Sequence, residues 1–173
     1  MESTYYFIIV GVLLFEYALS TISSTLNMNS ITEDIPDGFQ DYYDKDKYAK
    51  SQSYLKDKTR FGLFTGTFSL CITLVIIHAG LFGLLDDFVR AYSNHYITSG
   101  LLFFGTLFIL NDIINLPFSI YGTFVIEEKY GFNKTTWKTY VSDKFKGYGL
   151  TIVLGSAVMV PLLYFFEAYG SNG

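Results

Sequence analysis

Four stretches of the chain are predominantly apolar, and charged positions collect between them. Residues 61–85 run for 25 positions with no formal charge unless His78 is protonated, and residues 147–166 contain none. Residues 96–126 hold one acid, Asp112, and residues 5–22 hold one, Glu16. A hydrocarbon core about 30 Å thick takes roughly 20 apolar helical residues to cross. Backbone N–H and C=O groups must find partners inside lipid, so a spanning segment of this kind is helical. The pattern predicts an all-α polytopic membrane protein with transmembrane helices at about 5–22, 61–85, 96–122 and 147–166. The connections are 23–60 and 127–146. Four buried core helices of a soluble domain are the competing reading, but too little polar chain remains to cover them. The start MESTYY has an acid and no Lys or Arg, which is wrong for a cleavable signal peptide. The first segment is therefore read as a span.

Composition sharpens this picture at a few points. Only 16% of the 173 residues are charged, below the roughly 25% usual for soluble domains. Lys and Arg number six in 23–60 and five in 127–146, against Arg90 alone in 86–95 and none in 1–4 or 167–173. Cytoplasmic loops carry the excess of basic residues, so both long connections are predicted to be cytoplasmic and both termini of the chain non-cytoplasmic. Pro36-Asp37-Gly38 marks a turn. After it, Asp41 with Lys45 and Asp46 with Lys50 are acid-before-base pairs four apart, the favourable order on a helix. Residues 40–60 are expected to form a polar helix that runs into the second span. Cys71 has no second cysteine to pair with and is expected to be a small packing residue.

Ionisable groups inside a membrane are costly and usually face protein or water. Asp112 lies in the polar patch NDIINLP with Asn111, Asn115 and Pro117. The proline removes a backbone hydrogen bond and is expected to kink or end the third helix. Glu16, Asn111, Asp112 and Asn115 are the candidates for lining a polar cavity, with a hydrogen bond to a neighbouring helix as the alternative for Glu16 and Asp112. His78 is expected to be a hydrogen-bonded packing residue. No His-Glu-x-x-His motif, P-loop, dinucleotide fingerprint or G-x-S-x-G elbow is present in the chain. No catalytic or metal-binding residue can be named, and the balance of acids and bases argues against nucleic acid as a partner. Asn133-Lys134-Thr135 fits the glycosylation pattern, but a cytoplasmic placement makes it a chance match.

Two blocks carry a resemblance. NLPFSIYGTFVIEEKYGFNKTTWKTYVSDKFKG, residues 115–147, resembles the N-terminal membrane region of the CAAX prenyl protease type of zinc metalloendopeptidase. DKDKYAKSQSYLKDKTRFGLF, residues 44–64, resembles that family's first cytoplasmic loop entering its second span. The resemblance implies an N-terminal part of a seven-helix membrane metalloprotease whose helices surround a water-filled chamber. It also implies a multi-pass protein of the endoplasmic reticulum or bacterial inner membrane. Zinc is expected in the full-length protein and no cofactor in this chain, because none of the family's zinc ligands can be carried onto a residue here and the chain stops before the zinc helix would begin. The chain is then expected to be inactive alone. Its partners would be the bilayer, the C-terminal metalloprotease portion and a peptide or prenylated protein substrate. On the same reading Glu127, Glu128, Lys129, Phe132, Asn133 and Trp137 form a candidate loop docking onto that portion. The alternative for the loop is a headgroup-level anchor through Trp137 and Tyr140. For the whole chain the alternatives are a small four-helix transporter or channel-like protein and a non-catalytic regulatory relative.

Overall fold

The computed structural model describes residues 2–170, with side chains from residue 4 onward. The described residues contain helices and no strands. The order is α1 (Glu2–Asn29), α2 (Lys45–His78), α3 (Leu81–Tyr92), α4 (Tyr96–Tyr121), a π-helical turn (Gly122–Glu127) and α5 (Trp137–Tyr169). Four of these stretches are long and apolar enough to cross a membrane: Thr4–Asn29, Lys45–His78, Tyr96–Glu127 and Trp137–Tyr169. Only Val89, Ile126, Tyr130 and Leu163 form a buried apolar set among the described residues, whereas Phe7, Ile152 and Val158 are about two-thirds exposed. In water such a surface would be one large adhesive patch. Facing acyl chains it costs nothing, because lipid tails are as apolar as leucine. The chain is an integral, multi-pass membrane protein.

α2 shows how local chemistry sets an element. Its N-terminus is capped by Asp44, whose carboxylate accepts from the Lys47 amide at 2.9 Å, satisfying one of the orphan donors of the first turn. Asp41 therefore lies before the helix, and only Asp46 and Lys50 share its surface as an i,i+4 pair. At the other end, Gly80 adopts a left-handed φ of 66°, the usual way to stop a helix without a side-chain clash. The second apolar segment, expected to continue to residue 85, thus ends at His78, and a separate helix, α3, follows. Continuous hydropathy through HAGLFGLL conceals this break, since lipid compatibility says nothing about backbone turns. Cys71, expected to pack, lies exposed on α2.

Pro117 does not end α4. The helix passes through it to Tyr121 and widens into the π-helical turn. Gly131 then closes the element with φ 66°, its amide donating to the Glu128 carbonyl while the Phe132 and Asn133 amides donate to that of Glu127. α5 starts at Trp137 behind the Thr136 cap, whose hydroxyl accepts from the Thr139 amide. Well over half of the expected 127–146 loop is therefore helix.

The chain forms two compact units, residues up to 79 with 118–133, and residues 80–117 with 134 onward. In the first, α1 and α2 form an antiparallel pair. The Tyr17 hydroxyl meets Thr67 Oγ1 at 2.7 Å and the Tyr6 hydroxyl meets His78 Nδ1 at 3.3 Å. Phe118 packs edge-on against Phe64 and Phe68 of α2. In the second, α4 and α5 touch where Gly100 meets Leu163, and Val89 of α3 is 3% exposed.

Candidate functional site

The loop residues singled out from sequence close onto α2 within the first unit. Asp57 is the focus. Its Oδ2 accepts from Lys129 Nζ at 2.6 Å and from the Tyr130 hydroxyl at 2.7 Å. Tyr54, one turn earlier on the same face, stacks edge-on with the rings of Tyr130 and Phe132 at 5.6 and 4.8 Å. Lys50, a further turn back, lies 5.9 Å from the centre of the Phe132 ring, and Lys58 faces Glu127 at 4.0 Å. Glu128 accepts from Asn133 Nδ2 at 2.9 Å, which braces the turn itself. The two blocks that carry the family resemblance, 44–64 and 115–147, thus grip each other through this cluster. The turn docks on its own α2, and Phe132 remains about half exposed. Trp137 belongs to the second unit, where its ring contacts Tyr140.

The Asp57 carboxylate, by accepting both hydrogen bonds, holds the Lys129 ammonium and the Tyr130 hydroxyl above their ordinary pKa values. Both groups are protonated in the bound form, so each contributes stability below its unfolded pKa, about 10, and loses it as pH rises through the raised folded value. The turn is therefore expected to become protease-sensitive around residues 129–134 above about pH 10. An Asp57→Ala variant should show that sensitivity already at neutral pH. Equal cleavage of the parent and variant at pH 7 would contradict the arrangement.

The polar patch on α4 is organised within the second unit. Asp112 Oδ1 accepts from Lys144 Nζ at 2.5 Å and Oδ2 from the Tyr148 hydroxyl at 2.5 Å. Asn115 turns its amide back onto the Asn111 carbonyl at 2.8 Å and the Asn111 side chain at 3.1 Å. Asn111, Asp112 and Asn115 thus share one region of α4, closed in part by α5. Glu16 is exposed on α1, in the other unit. Sequence reasoning did not reach Tyr54, Asp57, Tyr130, Lys144 or Tyr148. Nothing in a single chain links residues 72 positions apart. The one available signal was that both resemblance-bearing blocks hold aromatics and charges at helical spacing.

Among the described residues, no group of three or more His, Cys, Asp or Glu is gathered. His78 Nδ1 meets the Tyr6 hydroxyl at 3.3 Å.

Comparison with known proteins accords with these features. Residues 24–173 match the family model described as CAAX prenyl protease N-terminal, five membrane helices. A probable CAAX prenyl protease 1 of Schizosaccharomyces pombe is 36% identical over 145 residues, covering 76% of this chain and 31% of the relative. The human CAAX prenyl protease 1 homolog is 30% identical over 146 residues, covering 80% and 31%. The crystal structure of S. mikatae Ste24p superimposes with a TM-score of 0.84 at 26% identity, covering 95% of this chain and 40% of that one. The chain spans about a third of the length of these curated relatives. It belongs to the CAAX prenyl protease N-terminal family.

Proposed function

We propose that this chain is the membrane-embedded N-terminal part of a zinc metalloendopeptidase. It walls part of the chamber that admits a peptide or prenylated protein for hydrolysis of a peptide bond. The observation that carries this reading is the family match over residues 24–173, together with relatives whose names describe CAAX prenyl proteases. The metal and its ligands belong to a C-terminal metalloprotease portion, and this chain contributes walls, position and a docking edge. Asp112, with Asn111 and Asn115, forms a fixed polar patch on the chamber side, its carboxylate held by Lys144 and Tyr148. Glu16, on α1 in the other unit, is a separate candidate lining residue. The turn around Glu127–Asn133, braced on Asp57, offers the exposed side of Phe132 to the metalloprotease portion, and Trp137, in the other unit, is a separate candidate contact. Family membership does not favour the channel-like alternative.

The test is an assay of the full reading frame that contains this chain, purified and presented with a prenylated peptide ending in a CAAX sequence. Chelator-sensitive cleavage is expected, and it should disappear when residues 1–173 are deleted. Cleavage that survives the deletion would overturn the proposal.

In this reading the basic connections 23–60 and 127–146 are cytoplasmic. In a Cys71→Ser background, Lys47→Cys and Lys134→Cys are expected to resist an impermeant maleimide applied to the outer side of sealed membranes and to react after permeabilisation. Labelling in sealed membranes would reverse the assigned orientation.

A further inference from the structure

Among the described residues, α3 is the one α-helix too short to cross. Its 12 residues extend about 18 Å, against a hydrocarbon core of about 30 Å. Two residues separate it from α2 and three from α4, so both ends are tied to membrane-spanning helices. Its sequence, LFGLLDDFVRAY, sorts onto distinct faces. Leu85 and Val89 turn inward, with Val89 buried. Asp86, Asp87 and Arg90 form a polar side on which Arg90 Nε donates to Asp86 Oδ2 at 2.8 Å. A third side carries Leu84, Phe88 and Tyr92, four residues apart and therefore in line. Their exposures are 62%, 59% and 74%, and the Phe88 and Tyr92 rings touch at 5.0 Å.

We propose that α3 lies in the membrane plane, with the Leu84–Phe88–Tyr92 ridge seated between the lipid headgroups and the acyl chains. The ridge is continuous along the chain with the exposed apolar surface of α4, where Tyr96, Leu102 and Phe104 are also uncovered. The helix cannot move far from the bilayer that α2 and α4 cross. Helices of this pattern bury their apolar side by roughly 5–10 Å, and aromatic rings favour that depth. The polar side carries two acids and one base, so attraction to anionic lipid is not the driving force. The tethers and the apolar ridge are. This inference rests on the chain spanning a membrane and is independent of the peptidase reading and of which leaflet is involved.

The test uses the full-length polypeptide, in a Cys71→Ser background, reconstituted in phosphatidylcholine vesicles. Nitroxide labels are placed at Leu84→Cys, Phe88→Cys and Asp87→Cys. Labels at 84 and 88 are expected to be relaxed by oxygen over a water-soluble nickel chelate in a ratio at least about threefold higher than the label at 87, as a depth of several ångströms requires. Nickel relaxation at 84 and 88 equal to that at 87 would place the ridge in water and overturn the proposal. Shielding of 84 and 88 from both reagents would place it against protein and overturn it equally. A Phe88→Trp variant in a Trp137→Phe background keeps the apolar bulk should the cysteine variants fail to fold. Its emission is expected to fall about twofold in brominated phosphatidylcholine, the depth of an interfacial ring, and no fall would again reject the seat.

Discussion

Asp112→Ala is expected to destabilise the chain by about 2–4 kcal/mol, the largest loss from any single polar substitution outside the helix caps. Both partners of the Asp112–Lys144 pair are 22% exposed, so solvent screens the pair only in part. Removing the carboxylate takes away the acceptor of two hydrogen bonds and leaves the Lys144 ammonium without a counter-charge. The cost of a stranded, partly desolvated charge exceeds the value of the contact itself. A double variant, Asp112→Leu with Lys144→Leu, should therefore recover most of the loss, because an apolar pair strands no charge. Tyr148→Phe should cost less than Asp112→Ala, since it removes only one of the two hydrogen bonds to the carboxylate and strands no charge. The measurement is unfolding in detergent micelles of the parent, the single variants and the double. An Asp112→Ala protein within about 0.5 kcal/mol of the parent, the range of an ordinary surface change, would show that water already solvates this pair.

Gly100→Val is expected to cost about 1–3 kcal/mol, the usual range for overpacking. A Cβ at residue 100 would stand 2.7 and 2.8 Å from the two methyl carbons of Leu163 and 3.3 Å from its Cγ. Leu163 is 7% exposed, which leaves its side chain little room to swing away. The close approach of α4 and α5 is the small-residue packing that membrane helices use where no hydrophobic force draws them together. Gly100→Ala should cost less, since methyl ends give more readily than backbone. Leu163→Ala in the same chain should return part of the stability lost to Gly100→Val. If the double variant is worse than the sum of the singles, the clash lies elsewhere and the contact is misjudged. The same micelle unfolding assay reads both outcomes.

How much was legible in the sequence depends on which force leaves a mark in one chain. Lipid compatibility leaves a strong one, and the charge-free runs located four long helices. The spacing of Asp46 and Lys50 located a polar extension of the second. Its start was missed by five residues, because the deciding interaction is the Asp44 side chain folding onto the Lys47 amide. Hydropathy could not register the stop at Gly80, although the glycine was visible, since an apolar run reads the same whether its backbone continues or turns. Pro117 was legible as a missing donor. Its outcome, continuation into a π-helical turn, was not, because surrounding packing decides it. Asp112 was flagged by its cost in lipid, yet its partners Lys144 and Tyr148 lie on a helix whose start was read as loop. The Asp57 cluster is the least legible feature. It joins residues whose proximity follows only from how the helices stand beside one another.

The polar extension of α2 has a metric consequence. Lys45–Arg60 continues the apolar helix without interruption and amounts to a stiff post of roughly 24 Å at 1.5 Å per residue. The turn that fastens to it at Asp57 is delivered by the end of α4 from Phe118 and by the π-helical turn, which lie in the same compact unit as the post. Post and turn must therefore keep one register: a residue inserted or deleted between Phe118 and Lys129 would swing Lys129 and Tyr130 off Asp57, and should be tolerated only when matched by a change in Lys45–Arg60.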